Sequence, residues 1–458
     1  MGIIRRKIMT PIIPMDTRAR QITGGGFGRH LFLMLTFCAC LMFQLATPQV
    51  VRAVQANASS SSSDYAAELM NRADTAWDNE RYDEAADAYR QAFMVDPSNK
   101  RAAYRLGWCY NEQQKYGDAE WALKDAVRLD PTDEKARAEL GFAYRSAERY
   151  QEAIETYQQL LKLNPKSVDA HYYIGWVHNE RGEYRDAIDS LREALRLDPE
   201  RGEAFEDLGY AYRQAGKFDE AVEAYSKAAE LEPDEAAPLK ALADIYFSDL
   251  KQYEKAVLSY RETLKLNSGD TPSQYNLGWA LNELGKPDEA IDSLTLVTQV
   301  EPRNVDAWNE LGFAFRKTKE NDSAFYAFSR SLKLAPDSAA GHFGLADLLF
   351  FNVKDYKAAI DEYTIGLHLE ADGKAFRNMG AAYNALSHYA DAIPPLEKAV
   401  KLRPDDSGIY LELGIAYEGL DKTDKAVTAF QNAVRLAPES TEAQSRLNKY
   451  SVKPEKRQ

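Results

Sequence analysis

Few side chains in this chain of 458 residues are spaced for making or breaking bonds. Its six histidines are scattered: His171 and His178 lie two helical turns apart, while His30, His342, His368 and His388 stand alone. A metal site needs several ligands converging on one point. No Cys/His cluster has that spacing, so no metal and no cofactor is expected. Gly24-Gly25-Gly26-Phe27-Gly28 lacks the Lys-Ser/Thr that completes a phosphate loop. The carboxylate pairs Asp219-Glu220 and Asp288-Glu289 fall where helices should begin. Negative charge is favourable there, which explains them better than acid–base chemistry does. No catalytic residue is assigned, and the chain is not expected to be an enzyme.

A different set recurs. An aromatic residue is followed three positions later by Asn or Arg in Trp108/Asn111, Phe142/Arg145, Trp176/Asn179, Tyr210/Arg213, Trp279/Asn282 and Phe313/Arg316. Asp244/Phe247 and Asp347/Phe350 take the same place twice, and Asn384 continues the series. Such residues recognise rather than react. An Asn amide can donate to and accept from a peptide bond, Arg can fork onto a carboxylate, and large aromatics anchor interfaces.

The elements that would position them are visible in the stretch from Gly175 to Pro199, GWVHNERGEYRDAIDSLREALRLDP, whose parts return along the chain. Prolines 97, 131, 165, 199 and 233 fall at one constant interval, and 302, 336, 404 and 438 keep the same phase with two gaps. Apolar positions within a unit recur at three, four and seven residues, as in an amphipathic helix. Gly107, Gly141, Gly175 and Gly209 remove bulk from one helix, and Ala119, Ala153, Ala187 and Ala221 from the next. Proline after Leu-Asp or Leu-Asn ends the second helix, because the residue before proline is pushed out of the α region. The fullest copy is Leu140-Gly141, Tyr144, Ala153, Tyr157 and Pro165. It resembles the tetratricopeptide repeat (TPR), W-x2-L-G-x2-Y, then A-x3-F, then P, with a period of about 34 residues. About eleven copies lie between Ala66 and Pro438.

The resemblance implies an all-α, right-handed TPR superhelix, an α-solenoid of about eleven helix-turn-helix repeats. It further implies that first helices line a concave groove, with position 9 and position 12 or 13 facing it. On that mapping Trp108, Asn111, Phe142, Arg145, Trp176, Asn179, Tyr210, Arg213, Trp279, Asn282, Phe313, Arg316 and Asn384 form a stripe expected to bind a protein or peptide partner. The competing reading is that position 9, close to the neighbouring repeat, serves packing, so that Trp108, Trp176 and Trp279 are inter-repeat contacts. The Lys/Asn/Lys/Arg carboxylate clamp of chaperone-tail TPRs is not found.

The units also form a larger repeat. Gly175 returns as Gly278, Gly209 as Gly312 and Ala243 as Ala346, all at one separation that equals three repeats plus one inserted residue. The insertion falls before the second helix of the units carrying Leu242-Ala243-Asp244 and Leu345-Ala346-Asp347. Cys109, beside Trp108, reads as a small core filler.

Charge divides the chain. Residues 1–58 carry seven of the 57 Lys/Arg and one of the 71 Asp/Glu, leaving 50 and 70, a net of −20, for the remainder. A phosphate backbone would be repelled, so no nucleic acid is expected. Leu31–Ala46 is apolar, but sixteen helical residues span about 24 Å, short of a hydrocarbon core of about 30 Å. A signal peptide is the first reading and a retained membrane anchor the second. Cys38 and Cys40 fit a lipid-attachment motif poorly, and Arg5-Arg6 lies too far from the apolar run for twin-arginine export.

The resulting organisation is a leader with signal or anchor over 1–58, a Ser-rich tether over 59–65, the repeat array over 66–438, and a capping helix with charged tail over 439–458. The expected function is a non-catalytic interaction scaffold, periplasmic or secreted, or tethered to a membrane through residues 31–46 alone. A cytosolic scaffold, an accessory subunit of an enzyme such as a transferase, and self-association are the alternatives.

Overall fold

The structure, a computed structural model, describes residues 48–451, with side chains over residues 63–450. The apolar run 31–46, read as signal or anchor, and the tail beyond Ser451 lie outside the described residues. Among the described residues the chain is all helix and turn, with no strand, and divides into two compact units, residues 48–148 and 149–451. No described helix is long and apolar enough to cross a membrane.

Within each unit, first helices of 13 residues such as Lys100–Glu112 and Val168–Glu180 alternate with second helices of 14 such as Tyr116–Leu129 and Tyr184–Leu197. One residue with left-handed backbone marks the turn from first to second helix: Glu80, Gln114, Glu148, Gly182, Gly216, Lys251, Gly285, Lys319, Lys354, Ser387 and Asp421. There are eleven among the described residues, one per expected repeat. Only three are glycine, so packing imposes the turn on residues for which it costs about 1–2 kcal/mol.

The turn after each proline is built by side chains. Asp130 accepts from the backbone N–H and hydroxyl of Thr132, and the N-cap Asp133 accepts from Ala136 N–H. Asn99, Ser167, Asn304, Ser338 and Asp372 cap other first helices in the same way. Each such cap is worth about 1 kcal/mol. Arg137, His171, Trp308 and His342, four residues into their helices, donate back to the carbonyls of Pro131, Pro165, Pro302 and Pro336. Two of the six histidines thereby acquire a structural role.

Inside a hairpin, small meets large sixteen residues later. A Cβ on Gly107 would stand 2.3 Å from Leu123 Cγ, and one on Gly278 would stand 2.5 Å from Leu294 Cγ. The inserted residue of the two longer units appears as a π-helical turn closing the first helix, at Ile245–Asp249 and Leu348–Val353. A π turn accommodates one extra residue without breaking the helix.

One local expectation changes. Ser59–Ser63 is part of the helix Pro48–Asp78 rather than a tether, because extending an already nucleated helix needs no new nucleus. At the other end Thr441–Ser451 is helical, and Arg446, Lys449 and Tyr450 all reach Glu418 in the last repeat. Cys109 is fully buried, and that burial pushes its thiol up to about 12.

Candidate partner-binding face

The asparagine series has a definite geometry. Asn111 Nδ2 donates to the Glu139 carbonyl at 3.1 Å and to its carboxylate at 2.9 Å. Asn282 does the same to Glu310 at 3.0 and 2.9 Å, and Asn384 to Glu412 at 2.9 and 2.8 Å. Asn179 donates to the Asp207 carbonyl at 3.0 Å. Donor and acceptor keep the same separation along the chain in all four, so each bond ties one first helix to the next. Asn111, Asn179 and Asn384 are only 4–8% exposed. The amide N–H expected to meet a ligand is therefore engaged within the protein, because the next helix offers a carbonyl at hydrogen-bond distance, while the amide oxygens of Asn111, Asn179 and Asn384 are buried and accept no hydrogen bond among the described residues.

The acids receiving these bonds were missed by the sequence reading, though the recurrence of Glu or Asp at one fixed separation from each Asn was there to be seen. Burial raises the carboxyls of Glu139, Glu310 and Glu412, while the Asn bond lowers each. Asp207 is pushed up to about 7, mainly by burial, with its hydrogen bond from Tyr172 acting against the rise.

Position 9 also joins repeats. Tyr82 meets Trp108 at 5.1 Å, Tyr116 meets Phe142, Tyr150 meets Trp176, and Tyr184 meets Tyr210, each pair edge-on and drawn from successive repeats. Trp77 packs on Trp108 at 4.2 Å and Phe247 on Trp279 at 4.9 Å, whereas Phe328 meets Phe313 at 5.3 Å within one hairpin. These rings nevertheless keep an open side: Trp279 is 38% exposed, and the other position-9 aromatics are half-buried.

The arginines differ among themselves. Arg145 stacks over Phe142 at 5.2 Å. Arg213 pairs with Asp249 of the π turn at 2.8 Å, and Arg316 lies 3.7 Å from Asp347. Asp244 and Asp347 are buried and accept from the hydroxyls of Tyr260 and Tyr363, which fixes them in the core. Among the described residues, His178, Glu183 and Asp186 are close enough to share a cation. Arg181 already neutralises Glu183 at 2.7 Å, which disfavours a metal.

The result is a class of protein: stacked helical hairpins that offer aromatic edges on a first-helix face, the architecture of a protein–protein interaction scaffold. Residues 70–134, 139–205, 275–339 and 378–443 match the tetratricopeptide repeat family model, and 209–249 match a second TPR repeat model. The chain belongs to the tetratricopeptide repeat family.

Its curated relatives are matched over short lengths. Anaphase-promoting complex subunit 3 of Schizosaccharomyces pombe is 28% identical over 113 residues, 24% of this chain and 17% of that protein. Protein O-mannosyl-transferase TMTC1 of Homo sapiens is 26% identical over 178 residues, 37% of this chain and 20% of that protein. The chain thus spans a fifth or less of these relatives. Among solved structures, MamA is 32% identical over 37% of this chain and 93% of its own, with TM-score 0.35. A chain of the APC/C hetero-tetramer Cut9-Hcn1 is 15% identical over 83% of this chain and 95% of its own, with TM-score 0.45.

Proposed function

We propose that the first-helix face of each unit holds an extended segment of a partner polypeptide, and that the chain is a non-catalytic scaffold working at a cell envelope. The observation that carries the binding reading is the position-9 series. Trp108, Phe142, Trp176, Tyr210, Trp279 and Phe313 are each fixed by a neighbouring aromatic yet keep an exposed or half-buried edge. Rigid, partly exposed aromatics lose little entropy on binding and make good anchors. In this reading the asparagines keep adjacent first helices in register, Arg145 flanks an anchor, and Arg213 and Arg316 support the face through their carboxylates. The envelope assignment rests on the basic leader and the apolar run 31–46.

The test places a photo-crosslinking residue at Trp279 or Tyr210 in the full chain, in its own cells, with Arg261 on a second helix as the control position. A polypeptide captured from the first two positions and not from the third supports the face. Capture that is equal at all three, or absent, refutes it. Fractionation and the mass of the mature product test the location: a form that is neither membrane-bound nor shortened by roughly 50 residues refutes it.

A further inference from the structure

Within residues 149–451, on the opposite side of the repeats, a crevice of about 670 Å³ opens between the second helices Tyr184–Leu197 and Phe218–Leu231. Leu195, Phe205, Leu208 and Tyr212 form its floor. Arg192 stands on one rim, Glu220 and Glu223 on the other, and all three are exposed.

The chain carries the same stretch again in its second three-repeat block, and there a tyrosine ring of the chain itself, still 58% exposed, lies against the corresponding floor aromatic. Phe205 is replaced by Trp308, Glu223 by Tyr326 and Lys227 by Arg330. The Tyr326 ring stands edge-on to Trp308 at 5.8 Å, and the Arg330 guanidinium lies 5.7 Å over the same indole. A second open crevice, of about 360 Å³, includes Tyr410, Leu413, Tyr417 and Thr428. There Thr428 takes the helix position that Tyr326 holds. An aromatic ring stands at this helix position beside Trp308 and at neither of the two crevices.

We propose that the crevice beside Glu223 is a docking site for a partner helix, which inserts one aromatic side chain and sets a basic residue one turn away against Glu220 and Glu223. The protein's own second copy shows which groups the shape accepts: a ring on the floor aromatic, with a cation beside it. The acidic rim supplies the complementary charge. Glu220 and Glu223 are one turn apart and make no ion pair among the described residues, whereas Lys227 is held by Glu230 at 2.8 Å and Arg196 by Glu193 at 2.6 Å. Arg192, on the facing rim, repels the partner's cation and so fixes its direction. The volume lies within the usual range of about 300–1,000 Å³ for sites that bury most of a ligand, and a helix laid in a groove is a recurrent recognition mode. This site is separate from the first-helix face and of different chemistry.

The probe is a labelled, soluble helical peptide of Ala and Gln carrying one Tyr with an Arg one turn later, titrated by anisotropy against the full chain. Saturable binding is expected, weakened roughly tenfold or more when the peptide Tyr becomes Ala. Changing its Arg to Glu should weaken it several-fold. In the protein, Glu223→Tyr, which installs the residue of the second copy, should abolish binding, and Glu220→Lys, which leaves the crevice open, should weaken it several-fold. Helical content and melting of all three variants are compared with the parent, and Trp279→Ala, which alters the first-helix face, should leave the affinity for this peptide unchanged. Binding that survives Glu223→Tyr in a folded variant, binding lost with Trp279→Ala, or no saturable binding overturns the proposal.

Discussion

Replacing Asn282 by alanine decides whether the asparagine series holds the array together. Its Nδ2 makes two bonds to Glu310, at 3.0 Å to the carbonyl and 2.9 Å to the carboxylate. The first is worth about 1 kcal/mol net and the second about 1.5–3 kcal/mol. Allowing for relaxation, a loss of roughly 2–3 kcal/mol is expected. A surface amide with no such partners would change stability by no more than about 0.5 kcal/mol.

The loss should also depend on pH. Burial raises the Glu310 carboxyl above its ordinary value, and the Asn282 bond pulls it down. Without Asn282 the folded carboxyl binds its proton more tightly still. The deficit is then full where Glu310 is ionised and shrinks as acid protonates it. Urea unfolding followed by circular dichroism at neutral and acid pH measures both effects. Hydrogen exchange in Thr271–Glu283 and Val305–Thr318 localises them. A deficit no larger than that of an unpartnered surface amide, or one that does not change with pH, would refute the reasoning.

Two more outcomes follow from the same packing. Asp207 keeps its proton up to about 7 in the folded chain, against an ordinary value of 3.8. The folded state therefore binds more protons between those values, and stability falls as pH rises through them, by at most about 1.4 kcal/mol per pH unit from this group. Asp207→Asn should flatten that slope in pH-dependent melting, and an unchanged slope counts against burial as the cause. Gly278→Ala would gain about 1 kcal/mol from helix propensity alone. A Cβ 2.5 Å from Leu294 Cγ should instead destabilise by about 1–3 kcal/mol, and a rise in melting temperature would contradict the close approach.

The chain by itself determined the repeat, its length and its helical character. Proline spacing, the small Gly and Ala residues recurring on both helices of a unit, and the apolar periodicity are local or nearly local signals that stacking later satisfies. It also marked the two longer units through Ala243 and its counterpart Ala346. The fate of each polar group depended on what the next repeat placed opposite it. The sequence shows Asn111, Asn179, Asn282 and Asn384 as a recurring amide, and only the stacked helices bring Glu139, Asp207, Glu310 and Glu412 to hydrogen-bond distance of its N–H. Asp244 and Asp347 occupy an aromatic's place in the pattern, but buried tyrosine hydroxyls claim them. The inserted residue could have lengthened a loop, and helix packing made it a π turn instead. A one-dimensional pattern records which side chains a unit contributes. The partner that satisfies a donor or buries a ring is fixed only when the helices of successive repeats are laid side by side.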